Sequence, residues 1–326
     1  MRILLGAPLI LPVLLSAAPP EAQVRVSLSP PPREGLTASE MLSAPPITDF
    51  AVYPSLTPTP SLPGNRGPQS LQLSIGCNDE VTGAPLPNCY VTLSLSQQAG
   101  GGGHVHAASG NTTRPPGING TGSISPSSIT TGPNGEPQTV IFSAPRTSGI
   151  VELRVDTFPP GGTGTSSTMT IGVYVPGFVE LARDGFMYTI ALTQNHGLAN
   201  WFTSDMWAKV EQLPSLYFHE VPIPLPPGTD IPRLVYIGAS LEWGGLFDYR
   251  GDWSPPHSSH DDGRDLDIVG IDHTEYRAAL GRAIGNACVE KKNASGRWTR
   301  SCLSQPIRGE TTYDPFATHY HVRGNS

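Results

Sequence analysis

Charge is scarce in this chain. Only 14% of its 326 residues are Asp, Glu, Lys or Arg, where an average soluble protein carries ~25%. Its 20 basic residues are outnumbered by 27 acidic ones, for a net charge of −7, and they form no run. Nucleic-acid binding needs a basic face and anionic lipid a basic cluster, so both partner classes are argued against. Uninterrupted helical windows are scarce too, because 36 Gly and 35 Pro punctuate the chain. A helical bundle or coiled coil does not tolerate that density, and a highly charged disordered protein would carry more charge. Cysteines number four and none stands in a Cys-x-x-Cys pair, so a four-cysteine zinc site lacks its usual spacing.

The one long apolar run is Ile3–Ala18, behind Arg2 and ending in the small residues Ser16, Ala17 and Ala18. It is too short for a spanning helix, which takes ~20 residues. A positive start, an apolar centre and a small-residue exit predict a secretory signal peptide over 1–22, hence a secreted or periplasmic protein without a transmembrane anchor when mature. An even cysteine count in a secreted chain predicts disulfides. Local pairing, Cys77–Cys89 and Cys288–Cys302, is the simplest of the three connectivities.

Residues 23–68 are Pro-rich, low in charge and without apolar periodicity, which reads as an extended tether. From Leu71 the pattern has period two: Leu71, Leu73 and Ile75 alternate with polar residues. Tyr90–Leu95, Thr139–Phe142, Val151–Val155 and Thr170–Val175 continue it between Gly/Pro/Asn turns. An all-β sandwich over 69–176 is the expectation. Its stretch Ser128–Leu153 resembles bacterial immunoglobulin-like domains of the adhesin and invasin type.

Beyond residue 177 two helices are expected. One is capped at Thr203-Ser204-Asp205 and carries Met206, Val210 and Leu213 on one face until Pro214 ends it. The other starts at the Asp272/Glu275 capping pair and runs through Tyr276, Ala279, Leu280, Ala283 and Ile284. With a buried strand at Arg233–Gly238 between them, residues 177–326 read as an α+β domain.

The chemistry concentrates in two places. Four aspartates fall within 261–267, next to His257 and His260, and His319-Tyr320-His321-Val322-Arg323 stands near the C-terminus. Imidazole and carboxylate are the ligands zinc takes where one position stays open to water. On a strand, residues i and i+2 share a face roughly 7 Å apart, so His319 and His321 can enter one pocket.

Ser259-His260-x-x-Gly263-x-Asp265-x-Asp267, followed by His319-x-His321, resembles the zinc metallopeptidases that include penicillin-insensitive murein endopeptidases and D-Ala-D-Ala carboxypeptidases. Hedgehog domains share their fold. The resemblance covers about 180–326 and implies a hedgehog/D-Ala-D-Ala peptidase-like α+β fold. It also implies Zn2+ held by His260, Asp267 and His321, with His319 beside the bound water as candidate catalytic base. His257 and Asp265 would stand next to the ligands or the substrate. The implied activity is hydrolysis of amide bonds in peptidoglycan peptides, with a non-catalytic zinc-containing binding or adhesion protein of the cell envelope as the alternative. The Glu-x-x-His of the carboxypeptidase branch is missing, since Glu310 stands nine residues before His319. His104-Val105-His106, a second His-x-His, reads as a surface strand or loop because no partner lies near it in sequence. His196 is a candidate pocket residue, and Trp243–Asp248 reads equally as groove lining or core.

Overall fold

The computed structural model describes residues 22–28, 49–55, 69–98, 104, 120–191, 196, 199–223, 225, 228, 230–248, 260–269, 271, 274–292, 297–304, 307–308 and 319–324. Residues 1–21 of the expected signal peptide 1–22, and His106, His257, Ser259 and Asp272, lie outside them.

The N-terminal part holds strands β1 (Ala22–Leu28), β2 (Phe50–Val52), β3 (Ser70–Asp79), β4 (Tyr90–Gln97), β5 (Ser123–Ser125), β6 (Ser128–Thr130), β7 (Gln138–Ser143), β8 (Gly149–Phe158) and β9 (Thr165–Val173). They form one sheet in the order β1-β3-β7-β5 and a second in the order β2-β9-β8-β4-β6. The alternation seen in sequence decides what each strand buries. Leu73, Ile75, Val140 and Phe142 of one sheet share a core with Val91, Leu153, Val155 and Ile171 of the other. Cys77 and Cys89, both buried, are bonded across that core. The tether region supplies two of these strands: β1 pairs antiparallel with β3, and β2 parallel with β9. Extended chain beside a sheet edge satisfies its own backbone groups and the edge's together.

The C-terminal part contains β10 (Phe178–Glu180), β11 (Asp184–Gly185), β12 (Tyr188–Ile190), β13 (Trp201–Thr203), α1 (Ser204–Glu220), β14 (Leu234–Gly238), β15 (Asp265–Val269), α2 (Thr274–Asn286), β16 (Cys288–Lys292), β17 (Trp298–Cys302), β18 (Ile307–Arg308) and β19 (His319–Arg323). Six of the strands make one sheet, β11-β12-β14-β15-β19-β18. Cys288 and Cys302 face each other in the β16–β17 hairpin and are bonded.

This overturns the expected fold class. Among the described residues the protein is mostly β, with 47% strand, 17% helical, two helices and several sheets including a half-barrel. It is not the α+β hedgehog/D-Ala-D-Ala peptidase-like fold that the resemblance implies. Among the described residues, only the two windows of 17 and 13 residues keep a helical apolar period. The remaining apolar residues come in short runs rich in Val, Ile, Tyr and Trp, which suit strands.

Pro214 does not end α1, which continues to Glu220. Met206, Val210, Leu213 and Tyr217 are all buried in the same core as the α2 residues Ala279, Leu280 and Ala283. Packing on both sides of the proline offsets the ~3 kcal/mol that an interior proline costs.

Candidate metal centre

The centre is built on two neighbouring strands. Leu266 and Ile268 of β15, with Val322 of β19, enter the core. The residues that alternate with them therefore share the opposite face. The antiparallel register sets Asp265 opposite Arg323, Asp267 opposite His321 and Val269 opposite His319. A single turn of 3-10 helix, His260–Asp262, delivers His260 from the chain just before β15.

These segments bring the three expected ligands together. Donor atoms of His260, Asp267 and His321 all lie within 4.8 Å of one another, and all three residues are buried. His260 Nε2 is 3.3 Å from Asp267 Oδ2, and His321 Nδ1 is 2.8 Å from Asp267 Oδ1. The His260 and His321 rings meet edge to face at 5.1 Å. His319 joins them, with its Nε2 3.6 Å from Asp267 Oδ2.

The surroundings orient each group. His260 Nδ1 is 3.0 Å from the Ala239 carbonyl. A carbonyl only accepts, so Nδ1 carries the proton and Nε2 presents its lone pair to the centre. Phe247 packs on the same ring at 5.3 Å. Arg323 Nε donates to His321 Nε2 at 3.1 Å, and Asp265 Oδ1 lies 3.4 Å from that guanidinium nitrogen. Asp265 is thus placed to position His321 and Arg323.

The electrostatics favour a cation. Burial alone would raise the Asp267 carboxyl, but His260 and His321 on either side pull it far below the usual carboxylate range. Burial pulls the His321 imidazole down, yet Asp265 and Asp267 outweigh it and raise it to about 9. A divalent ion bound by His321 would take the place of the proton those carboxylates retain. The Asp261 carboxyl, deprived of water beside this cluster, is pushed up to about 7.

Two imidazoles and a carboxylate suit a borderline divalent metal ion such as zinc better than magnesium or calcium, which take mainly oxygen ligands. The residues present therefore fit a metal of that class. His257 lies outside the described residues.

The structure brings together a second group that sequence reasoning set aside. His104, expected on a surface strand or loop, is buried, and its Nε2 is 2.9 Å from Asp248 Oδ1. His196 Nε2 is 2.8 Å from the same oxygen. The Trp243–Asp248 segment is core, with Trp243, Leu246, Phe247 and Asp248 all buried. The signal was present as a second His-x-His. Its partners lie far along the chain, and no spacing rule connects them.

No described helix is long and apolar enough to cross a membrane, and two disulfides fit an extracellular compartment. Compared with protein-family models and with curated proteins, the chain matches none.

Proposed function

We propose that the protein is a secreted zinc-dependent peptidase that hydrolyses amide bonds of peptidoglycan peptides. The observation that carries this reading is the convergence of His260, Asp267 and His321 within 4.8 Å in a buried site, with His319 alongside. The substrate class rests on the resemblance of the Ser259–Asp267 and His319–His321 spacings to murein endopeptidases. Zinc held there would bring the pKa of a bound water towards ~7 and polarise the scissile carbonyl.

The chain's own groups supply the rest. His319 Nε2 accepts a proton from the attacking water and returns it to the leaving amine nitrogen as the C–N bond breaks. Asp265 and Arg323 hold the His321 ring in place. Ala239 fixes the tautomer of His260 through its carbonyl, and the buried setting strengthens each of these polar contacts.

The short distance from His319 to Asp267 also suits a fourth protein ligand, which would close the metal site. A closed site favours the second reading, a zinc-containing binding or adhesion protein of the cell envelope. Digestion of purified murein separates the two. The peptidase reading predicts release of soluble peptides that chelation abolishes and zinc restores. It also predicts that His319→Ala keeps its zinc but is slower by roughly 10²–10⁴-fold. Zinc retained by the unaltered protein with no release of peptides overturns the peptidase reading. Loss of zinc in His319→Ala makes His319 a ligand instead of the base.

A further inference from the structure

We propose that His104, His196 and Asp248 bind a second divalent transition-metal ion, which staples the N-terminal sandwich to the C-terminal part. This goes beyond the peptidase reading and does not depend on it.

Donor atoms of the three residues lie within 4.8 Å of one another. Their side chains are 0%, 2% and 0% exposed. The tautomer of His104 can be worked out. Its Nδ1 lies 2.7 Å from the Leu246 carbonyl oxygen, which accepts only, so Nδ1 carries the proton. Nε2 faces a carboxylate oxygen 2.9 Å away. A positive charge, either a second ring proton or a metal ion, therefore lies between them in this dry interior. His196 Nε2 converges on the same oxygen at 2.8 Å and lies 2.9 Å from the Asp248 carbonyl oxygen, so a bound ion would take the place of the proton it shares with them.

The arrangement repeats that of His260. In both places an imidazole is fixed by a backbone carbonyl at Nδ1 and aims Nε2 at an aspartate shared with a second histidine. This is how metal-binding histidines are commonly oriented. The donor set, two imidazoles and a carboxylate, again selects a borderline divalent ion.

Position indicates what the ion would do. His104 belongs to the sandwich, where its backbone N–H donates to Ser148 at 3.2 Å. Asp248 lies on a segment of the C-terminal part that is sewn to the same region through Gly245 and Leu246. Leu246 N–H donates to Arg146 at 2.9 Å, and Thr147 bridges Gly245. The next residue back from Asp248, Phe247, packs on His260. An ion at Asp248 would fix the seam and the wall of the first metal centre together.

The test is metal stoichiometry of the full chain after dialysis against zinc, read by elemental analysis. Two ions per chain are expected for the unaltered protein, and one for His196→Gln, for His104→Ala and for His321→Ala. Glutamine at 196 can still hydrogen-bond Asp248, which guards against simple unfolding. One ion that disappears with His321→Ala and survives both other changes overturns the inference and leaves the peptidase site standing. One ion that disappears only with the His104 and His196 variants upholds the inference and removes the peptidase site. A buried imidazolium in place of a metal appears as one ion fewer in the unaltered protein, and also overturns it. Calorimetry of His321→Ala tests the staple. Chelation is expected to split one melting transition into two, and an unchanged single transition rejects the stapling role.

Discussion

Replacing Gly263 by alanine probes the join between the fold and the metal centre. Gly263 lies between His260 and Asp267 with φ +70°. An L-residue in that conformation costs roughly 1–2 kcal/mol. Space is short as well. An added Cβ would lie 2.7 and 2.8 Å from the Phe178 ring and 3.0 Å from the Thr203 backbone nitrogen. Neither neighbour yields easily. Phe178 is buried and sits opposite Thr203 in the β10–β13 ladder, and Thr203 caps α1. The Thr203 N–H also donates to the Gly263 carbonyl at 3.0 Å. Overpacking of this kind costs about 1–3 kcal/mol. Gly263→Ala should therefore lose about 2–5 kcal/mol in urea denaturation followed by circular dichroism. Zinc affinity by calorimetric titration should fall with it, because the turn sets His260 against Asp267. Gly281→Ala is the control. Gly281 lies in α2 with open space where a Cβ would be, so that change should raise stability by about 0.5–1 kcal/mol. Equal or improved stability in Gly263→Ala would refute the argument from the left-handed turn.

Three further changes have defined outcomes. Asp265→Asn should weaken zinc binding roughly 10–100-fold, since it loosens the Arg323–His321 arrangement while leaving the ligands in place; unchanged affinity would remove Asp265 from the site. Replacing Cys77 and Cys89 together by alanine opens a loop of separation 12 and should cost about 2–4 kcal/mol in a denaturant melt; a loss below about 0.5 kcal/mol would mean that the core alone holds β3 and β4 together. Tyr217 is fully buried, its hydroxyl makes no hydrogen bond among the described residues, and burial pushes its phenol up to about 12. Tyr217→Phe should be stabilising by roughly 1 kcal/mol at neutral pH. Because the folded pKa is raised above ~10, the wild-type contribution is intact below pH 10 and lost as pH climbs through about 12. The variant should show a shallower loss of stability over that window.

Much of the centre could be read from sequence because strands make it. Asp265 and Asp267 alternate with Leu266 and Ile268, and His319 and His321 with Tyr320, so period two already sorts ligands from core. The disulfide pairs followed from locality. What sequence could not reveal was long-range: the Ala239 carbonyl that orients His260, and the Asp248 that meets His104 from far along the chain. Backbone carbonyls leave no mark in a sequence, and a histidine gives no sign of a partner brought to it by the fold. The fold class failed for a related reason. Motif spacing reports the geometry of a few strands and turns, while the arrangement of the sheets depends on pairings such as β1 with β3 that no local pattern encodes. Pro214 misled because tertiary burial of Leu213 and Tyr217 outweighs a local breaker.

The most direct test of the central claim is an anomalous-difference map from crystals grown with zinc, collected at the zinc absorption edge. A peak bonded to His260, Asp267 and His321 is expected, with one coordination position left to water. A map without density there, or a peak closed by His319 as a fourth protein ligand, would contradict a catalytic metal centre.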